Sequence, residues 1–280
     1  MPHMLIFGLG YTASRLATRL RNEGWHITGT RRSAGANTLA FEDEPAVRAS
    51  IASATHILSS VPPEGEADPV LVRYGPAIAA APASWTGYLS STGVYGDTGG
   101  AWVDEASPIG SGRRTARADA DGDWGALRAD MRRFRLPGIY GPGRSALDRV
   151  REGRAHRIDL PDQVFSRVHV DDIVAGIIAS FDGPPGIYNL SDDLPCAQNR
   201  VVDAACDMLA LPYPPLLTMD QAQLSPMARS FYAENRRVAN GRAKRLLGWQ
   251  LRYPTYAQGL VACLKADIGS PQDQIMLTPS

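Results

Sequence analysis

The 280-residue chain is short of several things, and each shortage narrows the reading. It has only three cysteines, Cys196, Cys206 and Cys263, an odd number with no motif spacing. A disulfide framework is therefore excluded, and reduced thiols are expected. Its five histidines show neither HxxxH spacing nor cysteine partners, so no metal site is expected. It has no excess of either charge: 29 Lys+Arg stand against 29 Asp+Glu, for a net charge of zero. A neutral chain has no bulk field to gather phosphate backbones, so nucleic acid is not an expected partner. Long apolar runs are missing too. Stretches such as Ile173 to Ala179 are far too short to span a bilayer, so no membrane association is expected. Arg15, Arg19 and Arg21 follow the first apolar run where a signal peptide would carry its h-region, so a cytoplasmic location is expected.

What is present is ordinary globular composition, 44% hydrophobic and 21% charged. The length suffices for one large domain or for two lobes sharing a cleft. Met4 to Phe7 reads as a short buried strand, and Gly8 to Gly10 as a turn. Thr12 to Glu23 reads as a helix, with Ala13, Leu16, Ala17 and Leu20 at i, i+3, i+4 and i+7. Gly24 ends it, and Trp25 to Thr30 is a second strand. Further strands are expected at Ala54 to Val61, from Tyr88 to Ser91, and at Phe134 to Leu136. An Ala-rich helix over 70–83 is disturbed by Pro76. This alternation predicts an α/β fold, a doubly wound parallel sheet with helices on both faces. Residues 195–265 read as mostly helical. The expected division is a nucleotide-binding lobe over 1–143, to which 164–191 return, and a mainly substrate-capping lobe over 144–280.

The sequence LIFGLGYTASRLATRL places Gly8, Gly10 and Ala13 in a G-x-G-x-x-A pattern straight after a strand and straight before a periodic helix. Gly8 permits the tight turn, Gly10 lets a pyrophosphate approach the backbone, and Ala13 lets helix and strand pack closely. The helix N-terminus adds free N–H groups and a positive dipole end. The pattern predicts a Rossmann-type dinucleotide site. Its contacts are assigned to Gly8, Gly10, Tyr11, Thr12 and Ala13, with Val61 and Pro62 beside them. An NAD-preferring site carries an acid at the end of the second strand. Here that position reads Gly29-Thr30-Arg31-Arg32-Ser33, with no acid. Arginine suits bidentate phosphate recognition, so Arg31 and Arg32 point to NADP, with NAD as the alternative.

A second signature is Ser90-Ser91-Thr92-Gly93-Val94-Tyr95-Gly96-Asp97. Others are Leu136-Pro137-Gly138-Ile139-Tyr140-Gly141-Pro142-Gly143, Val168-His169-Val170-Asp171-Asp172-Ile173, Tyr188-Asn189-Leu190, and Asn240 to Trp249. In this order they resemble the extended short-chain dehydrogenase/reductases, the NAD(P)-dependent sugar epimerases and dehydratases. The resemblance covers nearly the whole chain. It implies a Rossmann lobe with a smaller, mostly helical C-terminal substrate lobe. It also implies that Ser91 binds the substrate oxygen, with Thr92 adjacent, and that the Tyr140 segment lies beside the nicotinamide.

The family's reaction also uses a Tyr and, four residues later, a Lys. Here Arg113 stands in the Tyr position and Arg117 in the Lys position. Arginine stays protonated and cannot shuttle a proton as a phenol can. On a helix, the i, i+4 spacing would turn both toward one side, where they could hold an anionic group of a small substrate. Tyr95 and Tyr140 are the substitute acids to weigh against ordinary packing, and His169 reads as a core hydrogen-bonding residue. Asp119, Asp121 and Asp123 read as a solvated acidic turn rather than a calcium loop, since Trp124 occupies the place of the loop glycine. Two functions follow. One is an NADP-dependent oxidoreductase or epimerase-like enzyme acting on a small hydroxyl or carbonyl compound. The other is an NADP-binding sensor without turnover. Assembly is left open, with a homodimer as one option.

Overall fold

The computed structural model describes residues 1–35, 37–110 and 115–268. β1 (His3–Phe7) is buried along its whole length and runs through Gly8–Gly10 into α1 (Tyr11–Asn22). The stripe Ala13, Leu16, Ala17 and Leu20 of α1 is buried, as the helical spacing requires. Gly24, at φ +83°, supplies the left-handed turn after it. Then follow β2 (His26–Arg31), β3 (Thr38–Ala40), α2 (Glu44–Ser53), β4 (His56–Ser59), α3 (Pro69–Ala79) and β5 (Trp85–Ser91). α3 begins on Pro69 with Asp68 as its cap, and it carries Pro76 without breaking. A 3-10 turn, Thr92–Tyr95, leads on to β6 (Trp102–Val103), α4 (Thr115–Leu127), β7 (Met131–Leu136) and β8 (Gly138–Tyr140).

The second half holds α5 (Ala146–Arg151), β9 (Arg157–Ile158), β10 (Arg167–His169), α6 (Val170–Ala179) and β11 (Gly186–Asn189). It continues through α7 (Gln198–Leu209), β12 (Leu216–Leu217), α8 (Pro226–Phe231), β13 (Arg237–Val238), α9 (Gly241–Leu247) and α10 (Tyr256–Ile268).

Seven strands form one sheet in the order β11-β7-β5-β4-β1-β2-β3, with every neighbouring pair parallel. The chain winds outward from β1 in one direction and, from β4, in the other. The switch point thus falls between β1 and β4, where open α/β sheets bind their ligands at the carboxyl ends of the strands. One face packs Leu16 and Leu20 of α1, Ile173 and Ile177 of α6, and Trp249 against Met4, Ile6, Leu89 and Phe134. The other packs Val47 of α2, Tyr74 and Ile78 of α3, and Trp124 of α4 against Leu5, Phe7 and Tyr88. Each fully buried Leu or Ile contributes roughly 1.5–3 kcal/mol.

A separate cluster joins Leu147 of α5, Val201 and Ala205 of α7, and Leu260 and Cys263 of α10. The C-terminal segment also returns to the sheet through Ala243 and Trp249. Trp249 Nε1 donates to the carbonyl of Asp172 at 3.0 Å. The Asp172 carboxylate accepts from the backbone N–H groups of Arg252 and Tyr253 at 2.7 and 3.1 Å.

Among the described residues no helix is long and apolar enough to cross a membrane. No group of three His, Cys, Asp or Glu among them could hold a metal ion. The three cysteines are free and buried.

Two sequence expectations need correction. The acidic run at 119–123 is not a solvated turn. It lies within α4, and Asp121 is fully buried. Tandem arginines in β7 draw it inward: Arg135 Nη2 and Arg133 Nη1 reach its carboxylate at 2.7 and 2.9 Å. Residues 38–53, given no element from sequence, form β3 and α2, both too short for their periodicity to stand out.

Candidate functional site

The glycine loop is held from both sides. Gly8 N donates to Thr30 Oγ1 at 3.1 Å, and Leu9 N to the Thr30 carbonyl at 3.2 Å. Ser60 Oγ donates to the Gly8 carbonyl, and Ser60 N to the Phe7 carbonyl at 2.9 Å. Gly8 has φ +82°, and a Cβ there would come within 2.9 Å of Val61 Cγ2. Only glycine suits that backbone and that contact. Val61 therefore lies against the loop, and Pro62 follows it in the chain.

Gly10 is different. A Cβ on Gly10 would meet nothing within 4 Å. Gly10 is the N-cap of α1, no side chain caps that end, and its first turn carries no acid. The loop thus leaves open space in front of helix N–H groups, the arrangement that accepts a pyrophosphate. Ala13 is buried against the sheet and Thr12 is buried beside it. The residues present fit a dinucleotide.

Arg31 ends β2 and Arg32 follows it, both exposed. They border a groove of about 710 Å3 whose walls include Leu9, Ser14, Thr18 and Arg21. Among the described residues no carboxylate lines this groove. Its charge is therefore positive, and no side chain in it would hold ribose hydroxyls as an acid does.

Ser91 lies at the end of β5, two strands from β1 and at the same carboxyl edge. It shares the strand face of Leu89, which packs on the α1 side of the sheet. Its Oγ accepts from Gly93 N at 3.1 Å, so it also caps the 3-10 turn. Thr92 is buried in that turn.

Tyr140 is buried in the C-terminal cluster, and its hydroxyl has no hydrogen-bond partner among the described residues. Gly259 of α10 lies so close to the Tyr140 ring and hydroxyl that any side chain there would strike them. Burial pushes the phenol far above its ordinary range. Its ring thus packs closely beneath α10. Tyr95 is no freer: its hydroxyl donates to Asn189 Oδ1 at 2.7 Å and accepts from Arg135 Nη1 at 3.0 Å. Arg117, on α4, is half-buried, with Asp68 and Tyr88 as charge and dipole neighbours. Asp68 is itself spoken for: it caps α3 and accepts from Trp124 Nε1 at 2.8 Å. Arg113 lies outside the described residues, so the pairing of Arg113 with Arg117 is not described.

His169 is a buried cap: its Nδ1 accepts from Asp171 N at 3.2 Å. Burial lowers its pKa to about 4, so it stays neutral. Sequence reasoning passed over Tyr11's side chain, Arg15 and Arg144. Tyr11 Oη donates to the Pro142 carbonyl at 3.0 Å, and Arg15 pairs with Asp171 at 2.7 Å. These contacts tie the glycine loop to segments about 130 and 156 residues away, a closeness no local pattern announces.

A switch point, an open glycine loop and a serine at the same sheet edge define a Rossmann-type nucleotide-binding protein. No protein-family model and no curated protein matches the chain. Solved structures do. A functionally unknown conserved protein from Silicibacter pomeroyi is 44% identical with a TM-score of 0.87, over 95% of this chain and 99% of that one. A protein assigned as an NAD-dependent epimerase/dehydratase from Methylobacillus flagellatus is 26% identical, TM-score 0.70, over 95% and 98%. A human epimerase family protein solved with NADPH shares the fold at 18% identity, TM-score 0.74, over 94% and 99%. The neighbours of stated family are NAD-dependent epimerase/dehydratase proteins, and the chain is similar to them across nearly its whole length, consistent with an extended short-chain dehydrogenase/reductase-like protein.

Proposed function

We propose that this protein binds NADP(H) across the glycine loop and acts as an oxidoreductase or epimerase-like enzyme on a small hydroxyl or carbonyl compound. The observation that carries the reading is the combination of open space at Gly10 with an acid-free groove bordered by Arg31 and Arg32. The pyrophosphate would lie over Gly10, Tyr11, Thr12 and Ala13, with Val61 and Pro62 alongside. The 2′-phosphate would meet Arg31 or Arg32. A guanidinium presents two parallel donors to phosphate oxygens, which suits that role better than a hydroxyl-binding acid would. The bound dinucleotide would supply hydride chemistry. Ser91 would donate its hydroxyl proton to the substrate oxygen while still accepting from Gly93 N. Residues 144–280 would serve mainly as the substrate cap.

A second reading is favoured by the state of the tyrosines. Tyr95 is engaged in the core and Tyr140 is sealed under α10, so neither is placed as a phenolic proton carrier. On that reading the protein is an NADP-binding sensor that does not turn over. Titration of NADPH and NADH by fluorescence tests the cofactor assignment, and equal affinities would overturn it. A screen of NADPH oxidation against sugar nucleotides, aldehydes and keto acids separates enzyme from sensor. Binding without turnover across the panel favours the sensor.

A further inference from the structure

Around the ring of Tyr11, the first residue of α1, stand two guanidiniums and one carboxylate: Arg15, Arg144 and Asp171. Asp171 is taken by Arg15 at 2.7 Å, with Arg15 Nε donating to the same oxygen at 2.8 Å. Arg144 lies over the Tyr11 ring, its guanidinium carbon 5.6 Å from the centroid. Among the described residues no carboxylate stands within ion-pair distance of Arg144. Asp148, the nearest acid in sequence, is occupied by the Ser145 hydroxyl and backbone N–H at 2.7 and 2.6 Å. The surroundings of Tyr11 therefore hold one positive charge in excess, on an exposed side chain.

The placement of that charge is built rather than incidental. Residues 141–144 form a tight turn in which Arg144 N donates to the Gly141 carbonyl at 2.9 Å. Tyr11 Oη clamps the same turn through the Pro142 carbonyl at 3.0 Å. Gly141 is required for this approach, since a Cβ there would collide with the Tyr11 hydroxyl and reach within 2.6 Å of Val170 Cγ1. The turn follows β8, which continues from β7 on the β5 side of the sheet, whereas Arg31 and Arg32 follow β2 on the other side of β1. The glycine loop is thus flanked by arginine on both sides.

We infer that Arg144 is an anion-binding residue of this site, taking a phosphoryl oxygen on the side of the glycine loop opposite Arg31 and Arg32. Contact with the Tyr11 ring limits the side chain's freedom while leaving it exposed, so less entropy is lost on binding. The inference rests on the proposed dinucleotide site. The phosphoryl group belongs either to the dinucleotide's pyrophosphate or to a substrate bound next to it.

The test compares wild type, Arg144→Gln and Arg144→Lys by calorimetry with three probes: NADPH, adenosine 2′-monophosphate, and inorganic pyrophosphate added to NADPH-saturated protein. Gln keeps the stem on the ring and removes the charge; Lys keeps the charge. Loss of one charge-assisted contact weakens binding roughly ten- to a hundredfold. If the dinucleotide supplies the phosphoryl group, Arg144→Gln loses that much NADPH affinity while adenosine 2′-monophosphate, which has no pyrophosphate oxygen, is unaffected. If the substrate supplies it, NADPH binding is unchanged and pyrophosphate binding falls. Arg144→Lys retains most of the affinity in either case. Unchanged binding of both NADPH and pyrophosphate in Arg144→Gln overturns the inference, as does an equal loss for adenosine 2′-monophosphate. A wild type that binds no NADPH fails the dinucleotide reading instead, before any variant is compared.

Discussion

Arg135 Nη2 lies 2.7 Å from Asp121 Oδ1, and neither residue reaches solvent. Arg135 Nε donates to the other carboxylate oxygen at 3.1 Å, and Ser90 Oγ to that same oxygen at 2.6 Å. The remaining Arg135 nitrogen donates to Tyr95 Oη at 3.0 Å. One buried bidentate pair thus joins α4, β5, β7 and the turn that follows Ser91. The arginines hold the Asp121 carboxyl below its ordinary range against the opposing effect of burial. Asp121→Ala leaves a buried guanidinium without its partner and should cost about 3–5 kcal/mol. Urea denaturation checks this, and a loss under 1 kcal/mol would show that water replaces the carboxylate.

Replacing both Arg31 and Arg32 with Ala should weaken NADPH binding by about 1.5–3 kcal/mol and leave NADH binding nearly unchanged. The two affinities, measured on one preparation, decide it. A parallel fall for both nucleotides would mean that the arginines shape the groove without reading the 2′-phosphate.

Gly10→Val should abolish dinucleotide binding with little loss of fold. The space before Gly10 is free in the protein, so the added side chain clashes with ligand and not with the chain. Retained affinity in a folded variant would show that the loop is only a turn. Gly8→Val, by contrast, should destabilise the protein itself, because φ is +82° and Val61 stands in the way.

Gly259→Ala drives a methyl group into the Tyr140 ring and hydroxyl. Overpacking of this kind typically costs about 1–3 kcal/mol. The expected result is a lower melting temperature with NADPH affinity retained, since Tyr140 packs in the C-terminal cluster. Lost NADPH binding at unchanged stability would place Tyr140 back at the cofactor.

Burial holds the pKa of His169 at about 4, below its ordinary 6.5. The unfolded chain therefore binds more protons in this window, and the His169 contribution to stability falls as pH drops from 6.5 toward 4. Asp192 acts in the opposite direction. Burial raises its carboxyl to about 7, so the folded form takes up the proton first and its contribution is lost as pH rises toward 7. His169→Asn, which keeps a side-chain acceptor at the α6 cap, should lose less stability than wild type between pH 7 and 5. Identical pH slopes for the two proteins, from urea midpoints at each pH, would contradict this.

The elements around the glycine loop were the most legible. G-x-G-x-x-A between a short apolar run and an i, i+3, i+4, i+7 stripe located β1, the loop and α1 to within a residue. These are local signals, set by backbone sterics and by the period of one helix. The β2 end was equally plain, because an absent acid and two arginines are read directly. β3 and α2 were not legible. Each is short, and its stability comes from packing beside β2 and under α3 rather than from its own pattern.

The amino-acid sequence by itself determined the doubly wound class, the strand-loop-helix pattern and the basic character of the groove beside β2. Only the tertiary structure decided which side chains belong to that site. Burial and partnership depend on residues far away in the chain. Tyr140 is sealed by Gly259, Tyr95 is held by Asn189 and Arg135, and Asp121 is claimed by β7 arginines that also follow it in sequence. Arg144 reaches Tyr11 because Gly141 lets two distant segments touch. A motif states what a backbone segment can hold. Close packing among distant segments determines which charges are left free to hold it.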